Sequence, residues 1–177
     1  DLTNLNRQVI THSQNIGHLK GEEAKIRALL INPTCQIHLI QKKAEKADIL
    51  NFDFSSYDFV VDACDDVVVK TELIKAYWQQ KFFFVSSLGT GNRMKPEMLM
   101  LTTLDKTYND PLAKKIRSLL RKEKLSLKVP VVWSNEIPFD IKNLGAFCPV
   151  PMAAGSILAS YVIRQLLHDF EMKKSSK

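Results

Sequence analysis

Nothing in the chain restricts its fold as sharply as residues 57 to 91. Tyr57-Asp58-Phe59-Val60-Val61-Asp62-Ala63-Cys64 is a mostly apolar run of strand-forming residues, the composition of a central strand in a parallel sheet. It ends in Asp65-Asp66, and Val67 to Gln80 then carries Leu73, Ile74, Tyr77 and Trp78, which predicts a helix. Phe82 to Ser86 reads as a second strand that stops at Gly89-Thr90-Gly91. Strand, helix and strand in this order fold as a right-handed parallel unit whose ligand crevice opens at the carboxyl ends of the strands. Asp65 and Gly89 would both line that crevice.

The flanking segments extend the alternation. Residues 3 to 10 predict a short helix, with Thr3 available as cap and with Asn4 and Arg7, three apart, on one face. A stronger helix runs from about Leu19 to Ile31, with Ile26, Leu29 and Leu30 as its apolar stripe and Glu23 placed to pair with Arg27, and Asn32-Pro33 stops it. Cys35 to Ile40 alternates as a half-buried strand does, and Lys42 to Asp48 reads as a loop or a short surface helix. Further on, Glu97 to Leu104 and Val129 to Trp133 predict strands. Pro111 opens a helix that reaches about Lys124, and Gly155 to Leu167 forms a final helix so apolar that it must pack on the sheet or on another subunit. The charged tail after Phe170 is expected to fray. With 177 residues, 45% of them hydrophobic, one domain is the expectation.

Several kinds of chemistry lack their residues. Cys35, Cys64 and Cys148 are odd in number and form no C-x-x-C pair, which argues against a disulfide framework or a zinc site. His12, His18, His38 and His168 show no metal spacing, Ser86-Ser87 lacks the G-x-S-x-G setting of a hydrolase nucleophile, and neither G-x-G-x-x-G nor G-x-x-x-x-G-K occurs. No run of eighteen apolar residues and no signal-peptide pattern is present, so a cytoplasmic protein is expected. Lys and Arg number 25 against 19 Asp and Glu, a net charge of +6, which favours an anionic partner without naming it.

Two candidate groups remain. Asp65-Asp66 at the end of a parallel strand could hold a magnesium ion shared with substrate phosphates, or could be a plain helix start, where the helix dipole favours carboxylates. Arg7 and Lys20 could grip phosphates, or belong to a solvated basic face. The Gly89-Thr90-Gly91 turn is weaker, because two glycines after a strand more often make a tight turn than a phosphate cradle.

Order and spacing now matter. T-N-L-N-R-Q at 3 to 8, G-x-x-K at 17 to 20, I-N-P at 31 to 33 and D-A-C-D-D at 62 to 66 together resemble the ubiquitin-activating-type superfamily, also called the ThiF/MoeB/HesA family. Later motifs narrow the resemblance: S-S-L-G-T-G at 86 to 91, K-T-Y-N-D-P-L-A-K-K-I-R at 106 to 117, V-P-V-V-W-S-N-E at 129 to 136 and G-A-F-C-P-V-P-M-A-A-G at 145 to 155. They are similar to the branch that dehydrates threonylcarbamoyladenosine in tRNA, over nearly the whole chain.

That resemblance implies an α/β fold: a Rossmann-like, mostly parallel sheet with helices on both faces and a C-terminal strand and helix segment. It implies that Asn4, Arg7 and Lys20 contact the ATP phosphates, that Asp65 holds magnesium, and that Arg7, Lys20 and Asp65 carry catalysis. The reaction implied is ATP-dependent adenylation of the threonyl carboxylate on a modified adenosine near the tRNA anticodon, followed by cyclisation. A homodimer is implied, as is the possibility of a sulfur-transfer protein partner. The branch begins with a strand, a glycine-rich turn and a helix, then a strand whose acidic residue holds the ribose; residues 1–177 match a single adenylating domain without these first strands and without the turn. The expectation is that the turn lies before Asp1. Two alternatives stay open: adenylation of a ubiquitin-like sulfur carrier protein, and a non-catalytic scaffold if the chain is complete.

Overall fold

A computed structural model describes residues 2–140 and 145–175, and the chain divides into two compact units, Asp1–Lys43 and Ala44–Lys177. The smaller unit is built on one regular helix, α1 (Lys20–Ile31). Gly17 sits at φ +94°, a conformation in which a side chain would be strained, and so lets the chain turn into it. Residues Leu2–Asn4 make a single 3₁₀ turn in place of the helix predicted over 3 to 10. Local side-chain bonding explains the difference: Thr11 Oγ1 donates to the carbonyls of Gln8 and Asn4, and Arg7 donates to the Thr3 carbonyl, so polar side chains offer the backbone an alternative to helical pairing. Glu23 pairs with His18 at 2.7 Å and accepts from Asn15 at 2.9 Å, not from Arg27. Those contacts hold the Glu23 carboxyl below its ordinary range, the Asn15 hydrogen bond contributing most.

Cys35 to Ile40 forms no strand. Its alternation is present, with Ile37 and Leu39 half-buried between exposed neighbours, but a strand exists only where a second strand completes its ladder, and no described strand pairs with it.

The larger unit carries the expected α/β architecture. Four strands, β1 (Val60–Asp62), β2 (Phe84–Ser87), β3 (Leu99–Thr103) and β4 (Pro130–Ser134), form a sheet in the order β1-β2-β4-β3. β1, β2 and β4 are parallel; β3 runs antiparallel to β4, with Leu101 opposite Val132. β1 therefore lies at one edge of the described sheet rather than at its centre, and only three residues of the predicted run pair, in register Val60 with Phe84 and Asp62 with Ser86.

Helices cover both faces. After the short α2 (Lys46–Leu50), α3 (Val67–Gln80) begins where Asp66 accepts from the amides of Val68 and Val69, and ends at Lys81 in the left-handed conformation, φ 57°. α4 (Pro111–Lys122) has Asp110 as its cap and Pro at its first position, where the missing N–H costs nothing. α3 and α4 bury Leu73, Ile74, Ala113, Ile116 and Leu120 with Phe84 and Val131 of the sheet and with Val129, just before β4. A chain of ion pairs, Lys46 to Glu72 at 3.2 Å, Glu72 to Lys75 at 3.0 Å and Lys75 to Glu123 at 2.5 Å, links α2, α3 and the end of α4.

α5 (Pro149–Ser175) covers the opposite face through Val150, Ala154 and Leu158, packed on Val85, Leu99 and Val132. It is longer than the helix predicted over 155 to 167 and continues beyond Phe170. Among the described residues, Pro149–His168 is the one stretch with the length and apolarity of a bilayer span, but its first turns lie on the sheet. Met152, Ile163, Leu166 and Leu167 face outward.

Candidate active site

The carboxyl ends of β1 and β2 meet over a buried polar cluster. Asp62, the last residue of β1, and Lys70, in the second turn of α3, are paired at 2.8 Å with both side chains wholly buried. Lys70 Nζ also donates to Ser86 Oγ at 3.1 Å and to the Ser87 carbonyl at 2.7 Å. The Ser86 hydroxyl donates to Asp62 Oδ2 at 2.7 Å, and the Cys64 amide donates to Asp62 Oδ1 at 3.1 Å. Every strong donor and acceptor has a partner, which is the condition for tolerating a buried charge pair. The cluster ties α3 to the ends of two strands and fixes the floor on which the following residues stand.

Those residues are Cys64, Asp65 and Asp66. Burial, with the Asp62 charge second, pushes the Cys64 thiol up to about 11, so it stays protonated at neutral pH and is a poor nucleophile. The fold treats the two aspartates differently. Asp66 is taken up by the helix start: its Oδ1 accepts from Val68 N at 2.8 Å and Val69 N at 3.1 Å. Asp65 is exposed, and its carboxylate makes no hydrogen bond or ion pair among the described residues. A single free carboxylate is the donor that fits a magnesium ion, which keeps several waters and shares phosphate oxygens. No cluster of three or more metal-binding side chains occurs among the described residues, which by themselves offer no cage.

The loop after β2 is held by a second network that sequence reasoning missed. Arg93 is buried, with Nε donating to the Gly89 carbonyl at 3.0 Å, Nη1 to the carbonyls of Ser134 and Glu136, and Nη2 to the Asn109 carbonyl at 3.2 Å. Burial pushes its guanidinium below the ordinary Arg value, opposed by Asp110 and Glu136. Asp110 caps α4 through the Ala113 amide at 2.9 Å and accepts from the Gly89 amide at 3.1 Å. Glu136 accepts from the amides of Met94 and Lys95. A Cβ on Gly89 would meet the Asp110 carboxylate oxygens at 3.4 and 3.5 Å. Gly89 thus serves a close approach to Asp110, and its amide is already taken. The acidic and amide residues of D-P-L-A and S-N-E gave the only sequence signal for this network.

The remaining predicted site residues lie in the smaller unit. Arg7 extends its guanidinium across its own turn: Nη2 donates to Asn4 Oδ1 at 3.0 Å, and Nη1 to the Thr3 carbonyl at 2.5 Å and to Asn6 Oδ1 at 3.2 Å. Asn4 and Arg7, expected on one face of a helix, are instead joined by this hydrogen bond within a turn, and it orients the planar fork that suits phosphate recognition. Lys20 is the first residue of α1 and is exposed. A cation there adds to the positive end of the helix dipole, an unfavourable position that Glu22 and Glu23 in the same turn offset. Asn4, Arg7 and Lys20 belong to one compact unit and Asp65 to the other.

Comparison with known proteins adds the following. A family model described as the ThiF family matches residues 1–177. The tRNA threonylcarbamoyladenosine dehydratase of Bacillus subtilis (strain 168) is 31% identical over 193 residues, spanning 98% of this chain and 76% of that protein. The dehydratase of the same name from Haemophilus influenzae is 38% identical over 125 residues, 69% of this chain and 47% of that protein. Among solved structures, the E. coli tRNA N6-threonylcarbamoyladenosine dehydratase TcdA in complex with AMP matches with a TM-score of 0.89 at 28% identity, over 97% of this chain and 74% of that one. The ATP complex of the same enzyme matches with the same score and identity. The chain thus spans between about half and three quarters of these three proteins.

Proposed function

The chain belongs to the ThiF family, and from that premise we propose that the whole protein adenylates and cyclises threonylcarbamoyladenosine in tRNA, with loss of water. The observation that carries this reading is the likeness over 97% of the chain to an enzyme whose structures are in complex with AMP and with ATP. Acting on tRNA, the protein would work in the cytoplasm.

The proposed chemistry proceeds in two steps. An oxygen of the threonyl carboxylate attacks the α-phosphorus of ATP, the bond to the β-phosphate oxygen breaks, and pyrophosphate leaves. A nucleophile within the modified adenosine then attacks the acyl carbon and loses its proton, and AMP departs with the carboxylate oxygen. Charge builds on phosphoryl oxygens in the first step, so preorganised cations lower its barrier. Arg7, oriented by Asn4, and Lys20 would take the phosphates. Asp65 would hold magnesium, which neutralises phosphate charge and orients the leaving group. Because the second nucleophile is intramolecular, proximity replaces a protein thiol, in keeping with a Cys64 thiol held protonated.

The complete protein, given ATP and threonylcarbamoyl-modified tRNA, is expected to release AMP and pyrophosphate in equal amounts as the modified nucleoside loses 18 mass units (roughly one water), a balance required by adenylation. Mass spectrometry of digested tRNA with a pyrophosphate assay measures both. Release of ADP and phosphate instead would remove adenylation from the reading.

We also infer a homodimer. Ile163 and Leu167, 56% and 58% exposed, continue the apolar side of α5 beyond the turns that cover the sheet, and an apolar stripe of this kind is usually covered by a partner. Sedimentation equilibrium of the complete protein is expected to give twice the chain mass, and Ile163→Asp with Leu167→Asp to give the monomer. A wild-type monomer at about 10 μM, a concentration well above typical obligate-dimer dissociation constants, would remove the dimer.

A further inference from the structure

One cleft of the larger unit lies apart from the residues proposed to meet the phosphates and the magnesium. It has a volume of about 360 Å³ and is lined by Asn109, Asp110, Pro111, Lys114, Arg117, Ile137 and Pro138, which puts it at the lower end of the roughly 300–1,000 Å³ range of small-molecule sites. Its two walls differ in chemistry. Lys114 and Arg117, one turn apart on α4, form a cationic wall; Pro111, Ile137 and Pro138 form an apolar one.

The cations are not neutralised locally. Neither Lys114 nor Arg117 has an ion-pair partner among the described residues. Asp110 is the only carboxylate in the lining, and its oxygens are already engaged by the Ala113 and Gly89 amides, with the Arg93 guanidinium at 3.6 Å. Arg117 is itself held: Nη1 donates to the buried Thr107 Oγ1, leaving its other N–H groups unassigned. Desolvation, together with neighbouring Arg121, pushes its guanidinium below the ordinary value, the effect that an anion in the cleft would reverse. Behind the lining, the Asn109 side-chain amide donates to the Asn135 carbonyl.

We propose that this cleft binds one nucleotide of an RNA strand, its phosphate on Lys114 and Arg117 and its base against Ile137 and Pro138. Two cations beside an apolar wall match the two halves of a nucleotide, a charged phosphate and an aromatic base whose face is apolar. The proposal rests on the tRNA-modifying reading, since it names where that substrate would be gripped outside the reacting residues. Asp110 connects the cleft to the loop after β2, because the same carboxylate binds the Gly89 amide.

The test uses the complete protein, a tRNA anticodon stem-loop and a DNA strand of the same sequence, with affinity measured over a range of salt. Lys114→Glu, at an exposed residue without a side-chain partner, and Arg117→Gln are the variants. Each is expected to weaken RNA binding about tenfold and to lower the salt slope by roughly one unit, the signature of a lost phosphate contact. ATP binding is expected to stay at the wild-type level in both variants. Wild-type RNA affinity and salt slope in both variants would overturn the proposal, as would equal affinity for the DNA strand or no RNA binding by the wild type. Turnover is measured separately: a wild-type protein that binds RNA through this cleft and yet forms no AMP would remove the adenylation reading and leave the cleft assigned.

Discussion

Replacing Asp62 by alanine is expected to lower the stability of the fold by about 3–5 kcal/mol, the usual cost of removing one member of a buried ion pair. The Lys70 ammonium would stay at zero exposure with only Ser86 Oγ and the Ser87 carbonyl as partners. Hydroxyl and carbonyl dipoles offset only part of the desolvation of a full charge, and the Ser86 hydroxyl would lose its acceptor as well. Urea unfolding of the complete protein measures the effect as a lower midpoint at unchanged slope. A second variant separates the charge from the packing. Asp62→Asn with Lys70→Met keeps an acceptor for Ser86 and removes both charges, and it is expected to recover most of the loss, since matched neutral replacement of buried pairs is often close to neutral. A loss below about 1 kcal/mol in Asp62→Ala, the value ordinary at exposed ion pairs, would show that the pair does not stabilise the strand ends in the way described.

Arg7→Ala and Asp65→Ala are each expected to lower kcat/KM for the tRNA reaction by at least about 10²–10³-fold, the range for removing one preorganised group that meets developing charge. The two variants test different structural claims. Asp65 is exposed and forms no contact among the described residues, so Asp65→Ala is expected to unfold at the wild-type urea midpoint while losing activity. Arg7 makes three hydrogen bonds within its own turn, and Arg7→Lys keeps the charge without the fork that Asn4 orients. That variant is expected to retain more activity than Arg7→Ala and less than the wild type, because an ammonium is a point charge where a guanidinium is bidentate. Near wild-type rates in both alanine variants would show that neither residue meets the reacting phosphates.

The sequence made local features readable and left cross-strand features hidden, for a physical reason. α3 was legible to the residue, since its apolar spacing and an Asp before its first turn are both local. Asn4 and Arg7 were placed near one another by their three-residue separation, although the helix read over 3 to 10 is a turn and the hydrogen bond between them was not read. The partners of Lys70 lie 8, 16 and 17 residues away and are brought together by the register of β1 against β2, which no periodicity encodes. Arg93, with acceptors up to 43 residues distant, was hidden for the same reason. Cys35 to Ile40 failed in the opposite sense: alternation reports half-burial, whereas pairing depends on a second strand. Asp65 and Asp66 are chemically identical in the sequence, and only the start of α3 showed which of them is occupied by backbone amides. On α4, Lys114 and Arg117 line a cleft while Lys115 and Lys122 are simply exposed, a distinction that residue type alone does not carry.

The Asp110 carboxylate holds the Ala113 amide with one oxygen and the Gly89 amide with the other. Fraying of the first turn of α4 would therefore also remove one of the bonds that hold the loop after β2, leaving that loop to the Arg93 contact with the Gly89 carbonyl. A ligand that steadies the start of α4 would steady the backbone at the mouth of the crevice as well.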